Sequence, residues 1–136
     1  MTRILPPTTE LTQPYWDGCN TNELRLQKCS ACAEHQFYPR SFCVHCGSQC
    51  LQWVGASGQG KVASFTVVRR GISKAYPAPY VVALIDLEEG PRMMSNIIEA
   101  EPERVSVGAA VSVTFSTWAE GTALPVFRLL EQGVAE

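Results

Sequence analysis

Two cysteine pairs constrain this chain more than any other feature. Cys29 and Cys32 stand two residues apart, ten residues follow, and Cys43 and Cys46 repeat the spacing. Each two-residue gap lets both sulfurs point at one ion from a tight turn. Two such pairs complete a tetrahedron of thiolates of the kind that holds zinc. Gly47, directly after the second pair, permits the left-handed backbone such a knuckle needs. The spacer is shorter than the usual run of about 15–20 residues, yet two strand-linked turns still meet across it. A catalytic zinc keeps one position open, and four cysteines leave none, so the expected metal is one structural ion per chain. A redox dithiol needs a single pair at a helix N-terminus, which this segment lacks. His45 inside the second knuckle and His35 just after the first are the alternative ligands. Cys19 and Cys50 fall outside the set, and Cys50 is expected to pack as a small apolar group.

Six cysteines point to metal rather than disulfides where thiols stay reduced. The sequence has no run of about 18 apolar residues, and Met1 to Thr8 holds no apolar signal core. The expected location is therefore the cytosol. With 136 residues, 46% of them hydrophobic and 18% charged, the chain suits one domain or two very small ones with a proper core.

Three segments are legible. Residues 1–22 read as a polar arm with a short helix, opened by Thr12 as cap with Pro14 in its first turn and closed near Gly18. Tyr15 and Trp16 are large apolar groups in this polar setting. They either cover the chain's own core or dock on a partner protein. Residues 23–54 hold the cysteine module. Leu24 to Lys28 alternates as a strand entering it, Phe37 to Arg40 leads to the second pair, and Leu51 to Val54 leaves as a strand. Residues 55–136 read as all-β after a turn marked by Gly55, Gly58 and Gly60. Strands are expected at Lys61–Arg70, Tyr80–Leu87, Arg92–Ile98, Ala110–Phe115 and Pro125–Leu130. The second, Tyr80–Leu87, is so continuously apolar that both its faces should be covered. Five strands with no long helix between them suggest a small closed barrel, which leaves no exposed edge.

Charge is uneven. Residues 1–80 carry eight Lys and Arg against four Asp and Glu, and residues 81–136 carry three against nine. Between Glu34 and Asp86 there is no acid, only Arg40, Lys61, Arg69, Arg70 and Lys74. This is either the ordinary scatter of surface charge or a local anion-binding face.

The ordered set of pieces resembles the zinc-ribbon OB-fold acyl-CoA-associated proteins. The stretches that carry the likeness are Pro14-Tyr15-Trp16, Leu24 to Cys29, Phe37 to Arg40, Cys43 to Ser48, Trp53, Gly58 to Val62, Ser64 to Val68, Pro79 to Ala83 and Glu89 to Arg92, so nearly all of residues 14–130. The resemblance implies a mainly β chain with an N-terminal helical arm, a rubredoxin-like zinc ribbon and a C-terminal five-stranded OB-fold barrel. It implies a non-catalytic subunit that binds a thiolase-superfamily enzyme in a hetero-oligomer and helps shape its acyl-CoA site, in support of C–C bond cleavage or formation. On that expectation Tyr15 and Trp16 lie at the partner interface. The loop bearing Arg69, Arg70, Lys74 and Tyr76 then meets coenzyme A, whose phosphates suit cations and whose adenine suits an aromatic face.

No nucleophile is paired with a base in the sequence, so no catalysis is expected of the chain alone. The second function class is a nucleic-acid binder, since zinc ribbons and OB folds both hold nucleic acid. A pI near 5.7 and sparse candidate stacking residues, Phe65, Tyr76 and Tyr80, weigh against it.

Overall fold

The structure, a computed structural model, describes residues 7–119 and 122–130; the start of the expected arm and the last six residues of the chain lie outside them. The first element is α1, Gln13–Asn20. Thr12 stands at its N-cap position, as expected, but offers no capping hydrogen bond; its hydroxyl accepts instead from the Thr9 N–H at 3.0 Å. The helix also runs past Gly18. That glycine is buried where a Cβ would meet the Glu23 carbonyl oxygen at 2.6 Å, so its role is close approach, not termination.

Three short strands form the ribbon: β1 (Arg25–Cys29), β2 (His35–Gln36) and β3 (Leu51–Gly55), in the order β2-β1-β3 and antiparallel throughout. The sequence reading missed β2. Phe37 to Arg40, expected only to lead to the second cysteine pair, is irregular chain held by side chains.

Five strands then close a barrel: β4 (Gln59–Val68), β5 (Tyr80–Leu87), β6 (Arg92–Ile98), β7 (Ala110–Ala119) and β8 (Thr122–Leu129), in the order β4-β5-β6-β8-β7. β7 returns to β4 through Gln59–Ser112, Gly60–Val111 and Lys61–Ala110. Only β6 and β8 run parallel, and they pair at just Ile97–Phe127 and Ile98–Arg128, so the wall is splayed beside that contact. Gly58 sits at φ +80° with a Val113 methyl where a side chain would begin, which is why the chain enters the barrel on glycine.

Alternation sets the inside. Val81, Ala83, Ile85 and Leu87 of β5 are buried, as are Val62, Met93, Val111 and Phe127 from the other strands. Leu24 and Leu26 at the entry to the ribbon belong to the same cluster, with Tyr15 and Phe37 packed against it. Arm, ribbon and barrel thus share one core. Ala56 N–H donates to the Leu24 carbonyl at 2.8 Å and Ala123 N–H to Asn20 Oδ1 at 3.1 Å, tying the pieces together.

Candidate metal centre and ligand-binding face

Both knuckles are built by the same backbone device. Cys29 N–H donates to the Glu34 carbonyl at 2.9 Å and Ala33 N–H to the Cys29 carbonyl at 2.8 Å. Fourteen residues on, Cys43 N–H donates to Ser48 at 2.7 Å and Gly47 N–H to Cys43 at 2.8 Å. The residue four past the first cysteine takes a left-handed backbone in each, Ala33 at φ 67° and Gly47 at φ 82°. Glycine accepts this freely, whereas Ala33 pays a Cβ clash.

The device brings the ligand atoms of Cys29, Cys32, Cys43 and Cys46 within 4.8 Å of one another. Cys29 and Cys46 sulfurs lie 3.7 Å apart, and Cys32 and Cys43 sulfurs 3.6 Å apart. A tetrahedron with Zn–S arms of about 2.3 Å needs S···S separations of about 3.8 Å. The four sulfurs therefore fit one zinc ion and complete its coordination, and the centre is structural. Cys29 and Cys43 are buried, Cys32 half-buried and Cys46 exposed. His45 Nε2 is engaged with the His35 carbonyl oxygen at 3.1 Å, so neither histidine joins the set.

Polar groups stabilise the Cys29 and Cys46 sulfurs as thiolates, whereas, against the Glu34 N–H, burial and the neighbouring thiols push Cys32 up to about 12. The Ser48 hydroxyl lies 3.1 Å from the Cys29 sulfur and 3.4 Å from that of Cys46. It is the main cause holding the Cys29 thiol down at about 6, and it lowers Cys46 as well. His45 N–H donates to the Cys43 sulfur at 3.3 Å.

Two buried glutamines brace the irregular loop between the knuckles. Gln27 Nε2 donates to the Arg40 carbonyl at 2.9 Å, while its Oε1 accepts from Arg40 N–H at 2.9 Å and from Gln36 Nε2 at 2.8 Å. Gln36 Oε1 accepts from Val44 N–H at 2.9 Å, next to Cys43. Sequence reasoning passed over both residues, since a glutamine on a half-polar strand carries no motif.

Of the other expected site residues, Tyr15 and Trp16 meet edge to face at 5.0 Å, and Tyr15 meets Phe37 likewise at 5.8 Å. Burial and the Cys19 thiol hold the Tyr15 phenol above its usual range, and burial pushes Cys19 up to about 11. Trp16 is half-exposed, and the exposed Tyr38 extends the aromatic row at 5.1 Å from Phe37.

Arg69, Arg70 and Lys74 are exposed on the loop joining β4 to β5, and Tyr76 is half-buried there. Arg69 reaches Glu103 at 3.8 Å with both side chains mostly in water, a weak pairing. Tyr76 packs against Trp118 of β7, ring centroids 5.5 Å apart. The two rings wall a groove of about 440 Å³ across the outer face of β5, β6, β8 and β7. Its floor includes Val82 and Leu124, and its mouth includes Met94 and Ile72, which are 62% and 80% exposed. None of its lining residues is charged. Met94 and Trp118 were not singled out from the sequence. The signal was the apolar run of Tyr80 to Leu87, whose outward residues Tyr80, Val82 and Leu84 are half-buried.

Comparison with known proteins agrees with this architecture. Residues 16–51 match a family model described as the ChsH2 rubredoxin-like zinc ribbon domain, and residues 53–116 match the ChsH2 C-terminal OB-fold domain. Among solved structures the chain is similar to one in the Ltp2-ChsH2(DUF35) aldolase, with TM-score 0.84 and 31% identity over 92% of this chain and 98% of that one. It is 33% identical over 90 residues to a DUF35 domain-containing scaffold protein of Methanothermobacter thermautotrophicus, covering 65% of this chain and 68% of the relative. It is 32% identical over 123 residues to a probable enoyl-CoA hydratase alpha subunit of Thermomonospora curvata, covering 90% of this chain but only 39% of that subunit.

Proposed function

The chain belongs to the ChsH2 family of zinc-ribbon OB-fold proteins, and on that premise we propose that it is a non-catalytic accessory subunit. Its partner is an enzyme of the thiolase superfamily, and it helps form that enzyme's acyl-CoA site in support of C–C bond cleavage or formation. The observation that carries the reading is the near end-to-end match to a chain of the aldolase assembly. The hydratase activity named for the Thermomonospora relative is not carried over, because this chain spans 39% of that subunit.

In this reading zinc fixes shape and the surface does the work. The metal holds the two knuckles, the knuckles hold the ribbon, and the shared core aligns ribbon with barrel. Trp16 is the half-exposed end of the aromatic row on the helix and serves as a docking anchor, backed by Tyr15. The loop cations Arg69, Arg70 and Lys74 face the phosphates of coenzyme A, with Tyr76 beside them.

The test is assembly. The chain is co-expressed with thiolase-superfamily proteins of the same cell and examined by size exclusion with light scattering. A stoichiometric complex with one of them supports the proposal. A chain that stays apart from every such protein, or that binds single-stranded nucleic acid with a steep salt dependence, contradicts it.

A further inference from the structure

The apolar groove occupies a particular place on the barrel. In OB folds, ligands lie across the second and third strands, between the loop joining the first two strands and the loop joining the last two. Here those strands are β5 and β6, the first loop carries Ile72 and Tyr76, and the last two strands supply Trp118 and Leu124. The groove is therefore this barrel's ligand-binding face, with a volume in the range of small-molecule sites.

Its lining is uncharged and mainly apolar. The Ser95 hydroxyl donates to the Pro125 carbonyl at 2.9 Å, and Asn96 Nδ2 donates to the Val81 carbonyl at 2.9 Å. These two side-chain donors are thus spent on the barrel's own backbone, and Val82, Met94, Ile98, Leu124 and Val126 make most of the lining hydrocarbon. Charge begins only outside the groove. Tyr76 and Pro77 also border a second depression, whose lining includes Lys74, and Arg70 is exposed on the same loop. A hydrocarbon floor beside a cationic rim fits a molecule with an apolar body and an anionic carrier.

We propose that this groove receives the hydrocarbon acyl group of the thioester, resting on the function proposed above, and that it selects long or bulky apolar acyl groups over short or charged ones. The loop cations face the carrier's phosphates, so acyl selection and carrier binding reside in separate residues. The order of the strands provides an internal test. Met93 and Met94 are neighbours on β6 that face opposite ways, Met93 buried in the core and Met94 at the groove mouth.

The zinc-loaded full chain, labelled at its methionine methyls, is titrated with decanoyl-CoA below its micelle concentration and with acetyl-CoA. The same titrations are run on the complex with its partner. Decanoyl-CoA is expected to shift the Met94 signal and spare Met93, while acetyl-CoA leaves Met94 in place. Met94→Glu, at an already exposed site, is expected to weaken decanoyl-CoA at least tenfold without changing acetyl-CoA affinity or zinc content. Arg70→Ala is expected to weaken both thioesters by a similar factor. The proposal is overturned if Met94 stays unshifted in both chain and complex, if the two thioesters bind alike, or if Met94→Glu abolishes assembly, which would make the groove a protein-docking surface. An active complex with an unmoved Met94 overturns this inference and leaves the accessory function standing. Selective decanoyl-CoA binding by a chain that joins no partner does the reverse.

Discussion

Replacing Gln36 with leucine should loosen the zinc site without touching a ligand. The side chain is 5% exposed and makes three hydrogen bonds: to Gln27 Oε1 at 2.8 Å, from Val44 N–H at 2.9 Å and, more weakly, to the Phe42 carbonyl at 3.3 Å. Each bond contributes roughly 0.5–1.5 kcal/mol net. Gln27 keeps its Arg40 partners, and the exposed Val44 and Phe42 regain some hydration, so the loss is about 2–3 kcal/mol. Burying leucine in place of an amide returns roughly 1 kcal/mol, which leaves about 1–2 kcal/mol. Folding of the ribbon and zinc binding are one equilibrium, so apparent zinc affinity should fall about 5- to 30-fold. Chelator competition measures it, with the exposed Gln49→Leu as control. An affinity within about threefold of the unaltered chain would refute the bracing role assigned to the two glutamines.

Cys43→Ala should abolish stoichiometric zinc and also lower the melting temperature of the barrel, because Leu24 and Leu26 belong to the common core; metal analysis and calorimetry check it, and an unaltered barrel transition contradicts the shared core. Zinc occupancy should hold at neutral pH and fall on acidification, because protons compete with the metal for the four thiolates. Ser48→Ala should move that loss to higher pH, and an unchanged release curve would count against the hydroxyl. Ala33→Gly should stabilise the chain by about 0.5–1 kcal/mol in denaturant unfolding, since glycine removes the clash at φ 67° but adds freedom to the unfolded chain. Trp16→Ala should weaken the complex with zinc content and melting temperature held, while equal loss of folding in the free chain would assign Trp16 to the core.

The zinc site was legible because its information is local: two-residue gaps, a glycine and a repeated turn need no knowledge of the rest of the chain. The barrel strands were legible for a related reason, since inward residues such as Val111, Val113 and Phe115 recur at period two. Boundaries shifted where pairing partners decide them, as where β7 runs on to Ala119 beside β8. What stayed hidden depends on residues far apart in sequence. β2 is two residues long and exists because β1 pairs with it. Gly18 read as a stop signal, yet its function comes from the approach of Glu23 and Arg25. The groove draws on four strands and a loop, and only the doubly apolar stretch of β5 hinted that the barrel's outer face is covered.

The accessory role proposed for this chain means that it assists a reaction that it does not itself perform. The direct measurement is C–C bond cleavage or formation on an acyl-CoA thioester by the zinc-loaded chain alone, by the proposed thiolase-superfamily partner alone and by the two mixed. Turnover at the full rate is expected only in the mixture, with the chain alone inactive. Turnover by the purified chain alone at a rate near that of the complex would contradict it.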